Sequence, residues 1–126
     1  MKHDTIADVF SALKNRETMG RRTALVPASS LGAAILGIMK EKGYVGDFQL
    51  TSRQKHYDVS LTGKINDCNA IRPRFAVKRD EFIKWEKRFL PANDVGILIL
   101  STSRGVMDHQ RAKQEGLGGQ LLGFVY

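Results

Sequence analysis

Cysteine is almost missing from this sequence. Cys68 stands alone among 126 residues, so no disulfide framework can staple the chain, and a reducing cytosolic setting suits it. Histidine is sparse too. His3, His56 and His109 lie far apart in polar surroundings, with no pair at i, i+4 and no Cys/His spacing of a zinc site, so no metal is expected. Gly116, Gly118, Gly119 and Gly123 fail the dinucleotide fingerprint because Leu121 takes the place of its third glycine. Gly63-Lys64 lacks the upstream glycine and the following hydroxyl of a phosphate-binding loop. These gaps leave no constellation for catalysis and no cofactor, and Cys68 reads as a small buried residue. No apolar run approaches the roughly 20 residues of a membrane span. Met1-Lys2-His3-Asp4 leads straight into a helical pattern, which predicts no signal peptide and a cytoplasmic protein.

Positive charge, by contrast, is plentiful. Lys and Arg number 20 against 13 Asp and Glu, a net charge of +7, which favours a polyanionic partner such as nucleic acid or an anionic membrane surface. A hydrophobic content of 42% argues for a globular protein rather than a disordered one. The length suits one domain, or two subdomains sharing a core.

Along the chain, Thr5-Ile6-Ala7-Asp8 resembles a capping box, and Ile6, Val9, Phe10 and Leu13 follow at helical spacing, predicting a helix over about 5–17. Lys14 and Arg16 fall in its last turn, where they complement the helix dipole. After Gly20, Arg21–Pro27 reads as a short strand stopped by its proline. Ser29 or Ser30 caps a second helix whose stripe is Leu31, Ala34, Ile35, Ile38 and Met39, with Gly43 closing it. Tyr44–Thr51 and His56–Thr62 read as strands around a polar turn, with Tyr57, Val59 and Leu61 on the packed face. The first half is therefore α-β-α-β-β.

Gly63–Asn69 is the expected joint. Beyond it, Ile71–Lys78 is extended, with Pro73 confined to an edge or bulge, and Asp80 is expected to cap a short helix through Arg88. Lys64 to Arg88 carries eight basic residues against four acidic ones, interleaved with Phe75, Phe82, Trp85 and Phe89. Such interleaving suits nucleic acid, although aromatics at these spacings more often form core. Asp108 is expected to cap a helix through about Glu115, closed by Gly116, and Leu121–Tyr126 forms a terminal strand. The expected fold class is α+β with two subdomains: an N-terminal α-β-α-β-β unit over 1–66, and a C-terminal unit over 67–126 that is mainly antiparallel sheet with short helices.

The stretch Gly96–Val106 organises this second half. Four aliphatics, Ile97-Leu98-Ile99-Leu100, mark a strand covered on both faces, and they run directly into Ser101, Thr102, Ser103, Arg104 and Gly105. A buried strand is a stiff mount. Three hydroxyls at its end, without a general base, suit hydrogen bonding to sugar hydroxyls, phosphates and base edges. The competing reading is a strand-end turn whose hydroxyls cap the local backbone.

Ser101–Met107 followed by Gly118–Tyr126 resembles the small ribosomal subunit protein eight family. The resemblance runs nearly end to end through Asp8-Val9-Phe10-Ser11, Pro27-Ala28-Ser29, Gly43-Tyr44-Val45-Gly46 and Gly63-Lys64-Ile65-Asn66. Ile71-Arg72-Pro73-Arg74-Phe75, Lys84-Trp85-Glu86 and Leu90-Pro91-Ala92 resemble its archaeal and eukaryotic branch. The resemblance implies a two-part α+β protein, monomeric outside the ribosome, that binds a stem in the central domain of small-subunit ribosomal RNA and meets neighbouring small-subunit proteins. It implies RNA contacts at Ser101, Thr102, Ser103, Arg104 and Gly105, and contacts farther along the stem at Asp4, Thr5 and Asn15. Arg72 and Arg74 join these as basic candidates for phosphate. Asp67 departs from the family, where a basic residue is common. Two alternatives stay open: a translational regulator binding a messenger RNA that mimics the stem, and a basic module that docks a protein.

Overall fold

The first helix takes its orientation from its apolar stripe. Helix α1 (Thr5–Thr18) buries Ile6, Val9, Phe10 and Leu13, four side chains on one face at the expected spacing. Each such burial contributes roughly 1.5–3 kcal/mol, more than a single cap or propensity difference, so packing sets how the helix lies. The computed structural model describes residues 5–51, 55–71, 74–92 and 95–126. Contacts divide the chain into two units, Met1–Asn69 and Ala70–Tyr126.

In the first unit, β1 (Thr23–Pro27), β2 (Val45–Leu50) and β3 (His56–Leu61) form an antiparallel sheet in the order β1-β3-β2. Ala24, Val26, Val45 and Val59 are buried, while Leu25, Asp58 and Gln49 share one exposed cross-strand row. The register of β2 on β3 shifts between Val45 and Phe48, a bulge in an edge strand. Helix α2 (Ser30–Glu41) opens on Ser29, whose Oγ accepts the Gly32 N–H at 2.9 Å. It closes with Gly43 at φ 85°: the Gly43 N–H reaches Lys40 O at 3.1 Å and the Tyr44 N–H reaches Met39 O at 2.8 Å. This is the Schellman arrangement.

The buried face of α2 is Gly32, Ile35, Leu36 and Met39, whereas Leu31, Ala34 and Ile38 are only half-buried. The expected stripe thus lies slightly off the true one. The helix is apolar nearly all round, so its composition does not fix the phase. The close approach of α1 does: a Cβ on Gly32 would lie 3.4 Å from Val9 Cγ2 and 2.8 Å from Ser29 Oγ. Lys14 differs from expectation as well. Its Nζ pairs with Asp67 Oδ1 at 2.9 Å, a side-chain partner rather than the helix dipole alone.

Strand β4 (Cys68–Ala70) carries the chain into the second unit, where the Ile71 N–H donates to Leu122 O at 3.0 Å. Among the described residues of the extended stretch expected over 71–78, only β5 (Ala76–Val77) is regular strand, and Pro73 lies outside the described residues. Helix α3 (Phe82–Phe89) follows, then β6 (Ile97–Thr102), β7 (Gly105–Asp108), α4 (His109–Glu115) and β8 (Gly119–Val125). The sheet order is β4-β8-β6-β7, with β5 also pairing β8, and the β5, β6 and β7 pairings are antiparallel. Strand β6 runs centrally between β7 and β8. Its aliphatics Ile97 to Leu100 are all buried, as four in a row require.

Leu98, Leu100, Met107 and Leu121 pack with Phe82, Trp85 and Ala112 in the core of this unit. One further expectation is corrected here, and one strand is added to those read from the sequence. The residue at the N-cap of α3 is Glu81, not Asp80, and its carboxylate turns back to take the Lys78 N–H at 3.0 Å. Gly105–Asp108 is a strand, because the hydroxyl cluster ends in a two-residue reversal and the chain returns along β6. The fold is α+β, with four helices among the described residues and antiparallel sheet in both units.

Candidate nucleic-acid interface

The end of β6 is a hairpin. Ser101 pairs with Val106 and Thr102 with Gly105 across β6 and β7, leaving Ser103 and Arg104 as the turn. Gly105 sits at φ 109°, a conformation that L side chains rarely adopt. Thr102 holds this turn closed: its Oγ1 donates to Gly105 O at 2.8 Å and accepts the Arg104 N–H at 3.1 Å. The backbone-capping reading is therefore correct for Thr102. Ser101 and Ser103 are different, since neither hydroxyl bonds to another described residue. One hydroxyl builds the turn and two remain available.

Across the sheet, Ala76, Gln120, Ser101 and Val106 form one row, and Val77, Gly119, Thr102 and Gly105 the next. Residues in one row share a face, so the exposed Gln120 amide stands beside the half-buried Ser101. Sequence alone leaves Gln120 without an assigned RNA role. Its only signal there is its place just after a glycine pair at the start of the terminal strand. That pair lets three strands close up. A Cβ on Gly118 would lie 2.3 Å from Val77 O, and one on Gly119 2.1 Å from Ser101 O.

Arg104 is exposed, with its Nη1 3.3 Å from Glu115 Oε1, and Arg111 Nε holds the other oxygen of that carboxylate at 3.0 Å. Exposed pairs of this kind are worth at most about 1 kcal/mol and exchange readily. Arg74 is exposed and makes no ion pair with a described residue. In the first unit, Asn15 is exposed on α1, one turn beyond the exposed Ser11. Thr5 opens α1, but its side chain lies outside the described residues, as do Asp4 and Arg72.

Residues 4–126 match the family model for ribosomal protein S8. The chain belongs to the ribosomal protein S8 family. A relative from Methanoregula boonei named small ribosomal subunit protein uS8 is 50% identical over 126 residues, covering 98% of this chain and 97% of its own. Another of that name, from Methanosphaerula palustris, is 48% identical over 128 residues, covering 99% and 98%.

The ionisable groups of this S8 family chain serve its packing. His109 is buried, not set in polar surroundings. Pairing of β7 with β6 stops at Ile99 and Asp108, and the His109 ring continues the ladder: Nδ1 accepts the Leu98 N–H at 3.0 Å. The proton must then sit on Nε2, which faces Glu86 Oε1 at 3.0 Å. Lys113 Nζ closes on the same carboxylate oxygen. Burial pulls the His109 pKa below its ordinary 6.5 despite the opposing charge of Glu86. Cys68 is fully buried, and its Sγ lies 3.5 Å from Phe10 O. Burial, helped by the Asp67 charge, pushes its thiol up to about 12. A thiol so placed is a poor nucleophile at neutral pH. Among the described residues no group of three or more His, Cys, Asp or Glu side chains could hold a metal ion.

Proposed function

We propose that this chain is a structural, non-catalytic component of the small ribosomal subunit, binding a stem in the central domain of small-subunit ribosomal RNA and supporting subunit assembly. The observation that carries this reading is the pair of unspent hydroxyls on Ser101 and Ser103, mounted on a buried strand beside a turn that Thr102 locks. The minor groove of an A-form helix is wide, shallow and lined with 2′-hydroxyls. Short serine side chains can enter it, and Gly105 adds no side chain to keep the backbone away. Thr102 supports them from behind, and Arg104 can leave Glu115 for a phosphate. Arg72 and Arg74 add phosphate contacts from the second unit. Asp4, Thr5 and Asn15 in the first unit touch the stem farther along. The protein acts in the cytoplasm as part of the ribosome, among neighbouring small-subunit proteins, and is a monomer outside it.

The test is binding to that stem and to an unrelated duplex of equal length, across several salt concentrations. Ser101→Ala/Ser103→Ala should lose most of the preference for the native stem while keeping the salt slope, because phosphate contacts set that slope. Equal binding of both RNAs by wild type would overturn the reading.

A further inference from the structure

Helix α3 presents a cluster of cations to solvent. Lys84, Lys87 and Arg88 are all exposed, and none pairs with a carboxylate among the described residues. Lys84 stands three and four residues before the other two, so the three are neighbours on the helix surface and repel one another. The one acidic residue within the helix, Glu86, is committed inward to His109 and Lys113. Arg88 is fixed despite lacking a carboxylate. Its guanidinium carbon lies 4.8 Å from the Phe75 ring centre, 5.4 Å from Phe89 and 5.5 Å from Trp85. Lys84 Nζ sits 5.1 Å from the Trp85 ring centre. The rings themselves form a continuous shelf, Phe75–Trp85–Phe89–Phe124–Tyr126, with successive centres 4.8, 6.2, 5.8 and 5.9 Å apart.

An arginine held against aromatic rings keeps its N–H donors for a partner and gives up little side-chain freedom on binding one. We infer that the Lys84–Lys87–Arg88 face of α3 is a second contact surface of this protein for RNA, binding phosphates of the backbone. This inference rests on the RNA-binding reading above and extends its footprint. Three cations repeating along one helix face suit the regular charge of a nucleic-acid strand. Proximity to the hairpin supports the same choice of partner. Phe75, on which Arg88 rests, immediately precedes Ala76, and Ala76 shares a cross-strand row with Gln120 and Ser101. Two inter-strand steps of about 4.8 Å separate Ala76 from Ser101. Phe75 and Ala76 alternate across the strand, so the two surfaces flank the β5 edge from opposite faces of the sheet, with the exposed Arg74 beside it.

The full chain, its Lys84→Gln/Lys87→Gln double variant and its Lys84→Gln/Lys87→Gln/Arg88→Gln triple variant are titrated with the native stem and with an unrelated duplex between 50 and 200 mM salt. Each lost phosphate contact lowers the salt slope by about 0.8. Wild type should therefore lose roughly 30-fold more affinity than the triple variant over that range, on both RNAs. The double variant, which leaves the shelf intact, should show about two-thirds of the slope change. Circular dichroism confirms that each variant is folded. An unchanged slope, with preference for the native stem intact, overturns this inference alone and points to an acidic protein partner for α3. Failure of wild type to bind either RNA overturns it together with the proposed function.

Discussion

Thr102 and its two serine neighbours look equivalent in sequence and differ in what their hydroxyls do. Thr102→Ala removes two hydrogen bonds that close the turn, so it should cost about 1–2 kcal/mol and also loosen the RNA preference. Ser101→Ala and Ser103→Ala should alter stability by less than about 0.5 kcal/mol and affect binding only. Urea denaturation beside the RNA titration separates these outcomes; equal destabilisation by all three would remove the distinction. His109 makes a sharper case. Its folded pKa is depressed, so the unfolded chain binds a proton that the folded chain resists. The stability it contributes is fully present above its ordinary pKa of 6.5 and is lost as pH falls through and below that value. His109→Leu strands the buried Leu98 N–H and takes one of two partners from the Glu86 carboxylate, which keeps Lys113, a cost of about 2–3 kcal/mol near neutrality. The gap between wild type and this variant should narrow steadily toward pH ~5.5 in urea titrations. A gap that widens on acidification would show that His109 is charged in the folded protein.

Among the elements, α2 offers two glycines with opposite expectations. A Cβ on Gly37 would meet nothing within 4 Å, so Gly37→Ala should stabilise by about 0.5–1 kcal/mol through helix propensity alone. At Gly32 the new methyl would press on Ser29 Oγ and Val9, disturbing the N-cap and the contact with α1, so Gly32→Ala should lower the melting temperature. Thermal melts of both variants check the pair. The same helix shows what could be read from sequence. Its ends were legible because Ser29 and Gly43 bear local backbone chemistry, and β6 was legible because four aliphatics in a row need cover on both faces. The phase of α2 was not, because a helix apolar all round is oriented by its neighbour. Nor was β7, since Gly105-Val106-Met107-Asp108 has no strand signature apart from the strand it pairs with. The hydroxyl cluster could be found in sequence, yet which hydroxyl was spent depended on the hairpin. His109 looked polar because its ladder partner, Leu98, is eleven residues away.

For the molecule as a whole, Cys68 provides a direct probe of folding. The thiolate is the reactive form, and burial with a pKa of about 12 keeps it scarce at neutral pH. Labelling by a thiol reagent should be slow in native buffer and should accelerate with urea alongside the loss of helical circular dichroism. Rapid labelling of the native protein would show that the first unit opens locally around Cys68. The bulged edge of that unit has a consequence of another kind. Strands β1 and β2 border the three-stranded sheet, and an open border invites a second chain to add itself. Pro27, which has no N–H to donate, closes one border. On the other, the slipped register near Gly46 and the exposed Asp47, paired to Lys40, deny an incoming strand a straight and neutral row. A chain with a net charge of +7 and apolar strands is thus guarded at both borders of this sheet against edge-to-edge pairing with another copy.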